Sequence, residues 1–129
     1  ADLIHTRQLI DSAAFERAKT INTEQAYLDF IDHFPFARQL DRARELRDEV
    51  AYIDALKENT YSSFLKYLNR YPNASRAPEA RERYEKLLFE AKTKDRKLTS
   101  YKTFIKEYPA SPYRHQAELQ VFEISTASG

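Results

Sequence analysis

The sequence predicts an all-α chain: a right-handed α-solenoid of three helix pairs led by one further helix. Three observations carry this. Pro35, Pro72 and Pro109 stand 37 residues apart, each directly after an aromatic residue (Phe34, Tyr71, Tyr108). In the same spacing, without a gap, fall Tyr27, Phe64 and Tyr101; Phe30, Tyr67 and Phe104; and Ile31, Leu68 and Ile105. A strict period of this size marks stacked units that bury their apolar faces against neighbours. Finally, 129 residues contain one Gly, too few for the turns of hairpins and sheets but enough for helices with short connections.

Each unit reads as two helices. The first covers roughly residues 24–34, 61–71 and 98–108. Its apolar residues recur at i, i+3, i+4 and i+7, as in Tyr27, Phe30, Ile31 and Phe34, which is one face of a 3.6-residue helix. Thr23 and Thr60, each after an Asn, are suited to cap its start. The third copy has Arg96 and Lys97 there, which predicts a less well defined start. The prolines end these helices, because proline disfavours helical geometry in the residue before it. The second helix covers roughly 39–58, 76–94 and 112–125. Ser75 and Ser111 are its expected caps in the second and third units, and the first has none. Residues 1–14 align with the second helix of a unit, Leu3 with Leu40 and Ala13 with Val50, and read as a remnant of an earlier one. Residues 15–125 hold the three units. Residues 126–129 read as a tail or linker, since Thr126 stands where the next aromatic is due.

Composition narrows function more than it names it. Net charge is +1, with 21 Lys and Arg against 20 Asp and Glu, so nothing pulls the chain toward nucleic acid or an anionic membrane. No apolar run approaches the roughly 20 residues of a membrane span. There is no Cys, hence no disulfide and no thiolate metal site. His5, His33 and His115 share no column and no ligand spacing, so no metal is expected. There is no phosphate loop, no HExxH and no nucleophile motif, and the chain reads as neither an enzyme nor a cofactor binder. Most of the 17 aromatics occupy core columns and are read as packing, not as a base-stacking platform. The alternating charges of Asp41 to Glu49 are read as a solvated face. The chain begins with Ala1 and has no Met, which reads as a piece of a longer open reading frame.

The motifs Tyr27…Phe30-Ile31-Asp32-His33-Phe34-Pro35, Phe64…Tyr67-Leu68-Asn69-Arg70-Tyr71-Pro72 and Tyr101…Phe104-Ile105-Lys106-Glu107-Tyr108-Pro109 carry a resemblance. With Ala43, they occupy positions 4, 7, 8, 11 and 20 of a tetratricopeptide-like unit. The chain resembles bacterial tetratricopeptide proteins of the cell-envelope kind over about residues 15–125. It departs from that pattern in a 37-residue unit instead of 34, in Ile31, Leu68 and Ile105 at a position usually small, in Arg47 where a large apolar residue is usual, and in Ala55 where proline is usual.

The resemblance implies a non-catalytic protein-interaction scaffold in the periplasm or cell envelope, with the cytoplasm as the alternative. It implies that a peptide or partner protein lies along a concave face of the first helices. Unit positions 2, 5 and 9 would line that face: Gln25, Leu28 and Asp32; Ser62, Leu65 and Asn69; Thr99, Lys102 and Lys106. The Lys/Asn clamp that some such arrays use for a peptide carboxylate is missing from the first two units. A charge gradient replaces it, from Glu24, Asp29 and Asp32 through Lys66 and Arg70 to Lys97, Lys102 and Lys106. The alternative function is a structural spacer or self-association module. Its sign is the pair Leu119 and Phe122, apolar where the earlier units have Glu45 and Glu82, and Asp48 and Glu85. That pair is the expected end contact, to a second copy as a weak homodimer or to another domain. A third reading, an RNA-binding helical repeat, meets the near-zero net charge as an objection.

Overall fold

The computed structural model describes residues 3–127. They form seven helices: α1 (Leu3–Ile21), α2 (Glu24–His33), α3 (Leu40–Glu58), α4 (Tyr61–Arg70), α5 (Ala77–Lys92), α6 (Leu98–Glu107) and α7 (Arg114–Ala127). There is no strand among the described residues. The short helices α2, α4 and α6 start at Glu24, Tyr61 and Leu98 and have ten residues each. The longer α1, α3, α5 and α7 start at Leu3, Leu40, Ala77 and Arg114, again at 37-residue steps. Helices pack chiefly against the next helix in the chain, most closely α2 on α3, α4 on α5 and α6 on α7.

The connections explain this regularity. At the end of α1 and α3, Asn22 and Asn59 adopt the left-handed conformation, φ 53° in both. Their amides bond to the carbonyls of Ala18 and Ala55. Asn tolerates that geometry because its short polar side chain bonds locally. The Thr that follows then caps the next helix: Thr23 Oγ1 accepts from Ala26 N at 3.1 Å, and Thr60 Oγ1 from Ser63 N at 3.0 Å. Ser63 Oγ accepts in return from Thr60 N, completing a capping box. In the third connection Arg96 takes the left-handed position, φ 58°.

Three expectations about caps are corrected. The start of α6 is well defined. Asp95, two residues upstream of the cap, accepts from Lys97 N and from Ser100 Oγ, both at 3.0 Å, and these bonds lower its carboxyl pKa. Neither Ser75 nor Ser111 caps a long helix: Arg76 precedes α5 without a side-chain cap bond, and Ser111 Oγ accepts from Tyr113 N instead. The reason is that two successive i→i+3 turns follow each proline-ended helix. Ala74 N bonds Tyr71 O and Ala77 N bonds Ala74 O, and the same pairs recur at Phe34–Leu40 and Tyr108–Arg114. The turn residues are spent before the helix begins. At the C-terminus α7 runs through Ala127, so the first residues of the expected tail are helical. Of the end segments, Ala1, Asp2, Ser128 and Gly129 lie outside the described residues.

The core divides into three clusters. Each joins the end of one long helix, the next short helix and the start of the following long helix. The middle cluster holds Ala51, Tyr52, Ala55, Phe64, Tyr67 and Ala80, with Leu68, Tyr84 and Leu87 half-buried around it. Tyr27, Phe64 and Tyr101 are buried in turn, and Ala43, Ala80 and Ala117 have no exposure at all. The alanines let each short helix approach the long helix closely. Edge-to-face and tilted aromatic pairs fill the rest, such as Tyr52 with Tyr67 at 5.6 Å and Phe89 with Phe104 at 5.1 Å. Arg47 and Ala55, the two departures from the usual unit, are accommodated. Arg47 stacks over the Tyr71 ring at 4.6 Å, and Ala55 is buried beside α4.

Candidate functional site

The helices α2, α4 and α6 bury their aromatic stripe, and their opposite side is free. Gln25, Asp32, Ser62, Asn69, Thr99, Lys102 and Lys106 are exposed, Leu65 is 38% exposed, and Leu28 is half-buried. Gln25 is engaged locally, donating from Nε2 to Asp29 Oδ1 at 2.8 Å. Lys102 and Lys106 have no ion-pair partner among the described residues.

A recess runs beside this column, and it recurs in all three units. It lies between the end of a long helix and the short helix after it. The first copy is lined by Ala14, Ile21, Ala26, Asp29, His33 and Phe34 among others. The second has the residues 37 places on, including Ala51, Glu58, Ser63, Lys66, Arg70 and Tyr71. The third includes Ser100, Thr103, Glu107 and Tyr108. The recesses are small, about 260, 140 and 170 Å³ in chain order. Unit positions 3, 6 and 10 line them. Of the nine predicted groove residues only Thr99 does so. The signal that could have found this column is the small residue at position 3 of every unit: Ala26, Ser63 and Ser100. Ser63 also reaches back across the recess, donating from Oγ to Ala55 O at 2.9 Å.

The charge gradient survives only in part. Glu24 and Arg70, drawn from its first and second thirds, pair with each other at 3.1 Å. Glu24 also accepts a short hydrogen bond from the Tyr71 hydroxyl. Burial first, and this bond second, push the Tyr71 pKa up to about 12. The two residues thus tie α2 to α4. Asp29 and Asp32 keep the first unit acidic, and Lys97, Lys102 and Lys106 keep the third basic.

Further from this face, an open trough of about 1040 Å³ lies between α5 and the turn into α7. Glu79, Glu82 and Glu85 alternate there with Arg81, Arg83 and Lys86, so it offers no net charge. Leu119 and Phe122, the expected end contact, are 48% and 66% exposed on α7. Among the described residues no three His, Asp or Glu side chains converge on a possible metal position. No described helix is long and apolar enough to cross a membrane.

No family model matches the chain, and neither a curated protein nor a solved structure matches it.

Proposed function

We propose that this chain is a tetratricopeptide-like α-solenoid module that binds a protein or peptide partner through the free side of α2, α4 and α6, without catalysis. The observation that carries the reading is the threefold recurrence of one surface. Each short helix buries its aromatic stripe, exposes positions 2 and 9, and borders a recess lined by the same unit positions, with position 5 exposed in α4 and α6 and half-buried in α2. A repeated groove suits an extended or helical segment that meets similar surroundings at each step. The unpaired Lys102 and Lys106 favour an acidic or carboxylate-bearing stretch over the third unit. The assignment to bacterial cell-envelope scaffolds rests on the sequence motifs alone.

The test is fluorescence anisotropy with acidic peptides at low and moderate salt. Binding that weakens with salt and is lost in Lys102→Glu/Lys106→Glu, with thermal stability unchanged, supports the proposal. Binding unaffected by the double variant sinks the charged end of the groove.

A second reading, a self-associating spacer, is favoured by the exposure of Leu119 and Phe122 on α7. Light scattering decides it. A dimer that becomes monomeric in Leu119→Glu/Phe122→Glu supports that reading, and a monomer in both proteins removes it.

A further inference from the structure

Along the free side of α2, α4 and α6 the charges are sorted by sign. Unit position 9 holds Asp32, Asn69 and Lys106, and position 5 holds Leu28, Leu65 and Lys102. Asp29 stands one turn before Asp32 on α2, so two carboxylates lie at i and i+3. Lys102 and Lys106 lie at i and i+4 on α6. Like charges at these spacings repel and weaken their helix. Asp32 is also next to the last residue of α2, where the helix dipole disfavours an acid. Neither cost is offset within the chain. The Asp29 carboxylate accepts only the Gln25 amide, and Asp32, Lys102 and Lys106 have no ion-pair partner among the described residues. The long helices differ, with Arg42 paired to Glu45, Arg44 to Asp41, and Arg76 to Glu49 and Glu79. Between the two charged ends the column is neutral: Ser62, Asn69 and Leu65, which is 38% exposed, beside half-buried Leu28. Asp29, Lys66 and Glu107 also border the recesses.

We propose that this side takes an extended segment of a partner protein whose charges run in the complementary order: basic residues over α2, an apolar side chain over Leu28 and Leu65, and acidic residues over α6. Resting on the groove binding proposed above, the fit adds a basic end, an apolar anchor and a fixed sense along the helices. Charge-assisted contacts form at both ends in this sense. The reverse placement sets like charges against each other at both, which suppresses it. With the usual spacing of about 8–10 Å between packed helices for each step, α2 and α6 stand about 20 Å apart, and an extended chain crosses them in about six residues.

The probe is the end-blocked peptide Lys-Lys-Ser-Leu-Ser-Ser-Glu-Glu. One control exchanges its second Lys with its first Glu, and the other has Glu in place of both Lys. Each is titrated at low salt into the whole 15N-labelled chain. The probe should shift amides of α2, α4 and α6 saturably and bind about fivefold tighter than either control, the effect of two exposed ion pairs. A nitroxide at its Lys end should broaden amides of α2, and one at its Glu end those of α6. Asp29→Asn/Asp32→Asn should not lower the melting temperature, and it should weaken the probe about fivefold while leaving the all-acidic peptide no weaker. If the all-acidic peptide binds over α6 as tightly as the probe, or the Asn variant binds the probe unchanged, the basic end is wrong while the groove function stands. If no peptide shifts these helices, both fall. Broadening in the reverse order overturns the proposed sense. So does a chain that sediments alone as a dimer at low salt and as a monomer in Asp29→Asn/Asp32→Asn, because a face sorted in this way then pairs with a second copy about a two-fold axis.

Discussion

Phe64→Ala probes the packing at its centre. Phe64 has no exposure and sits between Tyr52, with ring centroids 6.3 Å apart, and the alanine-lined faces of α3 and α5. Returning the ring to water costs about 3 kcal/mol in burial alone. A cavity term adds to this when the surroundings cannot collapse. Here they cannot, because Ala51, Ala55 and Ala80 are fixed on helices and too short to reach in. The expected loss is therefore about 4–5 kcal/mol, at the upper end for a buried phenylalanine. At the usual unfolding entropy per residue, a chain of 129 residues loses about 15 °C of melting temperature for 4 kcal/mol. Urea unfolding followed by circular dichroism measures the free energy, and thermal melting measures the shift. Leu65→Ala, on the exposed side of α4, is the control and should change little. A Phe64→Ala loss below about 1 kcal/mol would refute the placement of the aromatic stripe in the core.

Three further outcomes follow from single sites. Arg96 occupies a left-handed position that asparagine fills in the two earlier connections, so Arg96→Asn should raise stability by about 1 kcal/mol in urea unfolding. The Tyr67 hydroxyl is buried without a hydrogen-bond partner, and its column holds Phe30 and Phe104 in the other units; Tyr67→Phe should thus be neutral or stabilising by up to about 1 kcal/mol in the same assay. Burial raises the pKa of both Tyr67 and Tyr71 to about 12, with Asp48 and Glu49 assisting at Tyr67 and the Glu24 bond at Tyr71. Because the folded values lie above the unfolded value of about 10, the stability they contribute is complete below that pH and is lost as pH rises toward 12. Ultraviolet titration of tyrosinate absorbance should show late-titrating groups in the folded chain and none in urea.

Much of the helix pattern was legible because local chemistry encodes it. The aromatic-Pro pairs end α2, α4 and α6 within a residue of expectation, and the Asn-Thr pairs place two of their starts. What was hidden depends on contacts across the chain. The Glu24–Arg70 pair spans 46 residues and removes two members of the charge gradient, which no linear pattern reveals. Asn22 and Asn59 stand beside a capping Thr, and that neighbour carries no sign of their left-handed role. Arg96 hid it further, since arginine gives no left-handed signal. Ser75 and Ser111 looked like caps because proline stood close by, yet the double turn uses those residues before the helix starts. The recess column lies one helical position beyond the predicted groove column. The small residues at Ala26, Ser63 and Ser100 signal a close approach only when the preceding long helix is known to lie there.

Excision of one period tests the central claim, that a single 37-residue packing unit is stacked along the chain. Deleting residues 61–97 joins Thr60 to Leu98 and sets Tyr101 and Phe104 against Tyr52, in the place of Phe64 and Tyr67. A stacked array closes over such a cut, because each unit contacts only its neighbours. The shortened chain should keep the helicity per residue of the parent and melt cooperatively, at a lower temperature. Deleting two residues fewer, 63–97, turns the stripe about half-way round the helix and should abolish that transition. If both deletions melt alike, or the 37-residue excision leaves a chain without helical structure, the account of a stacked repeat is wrong.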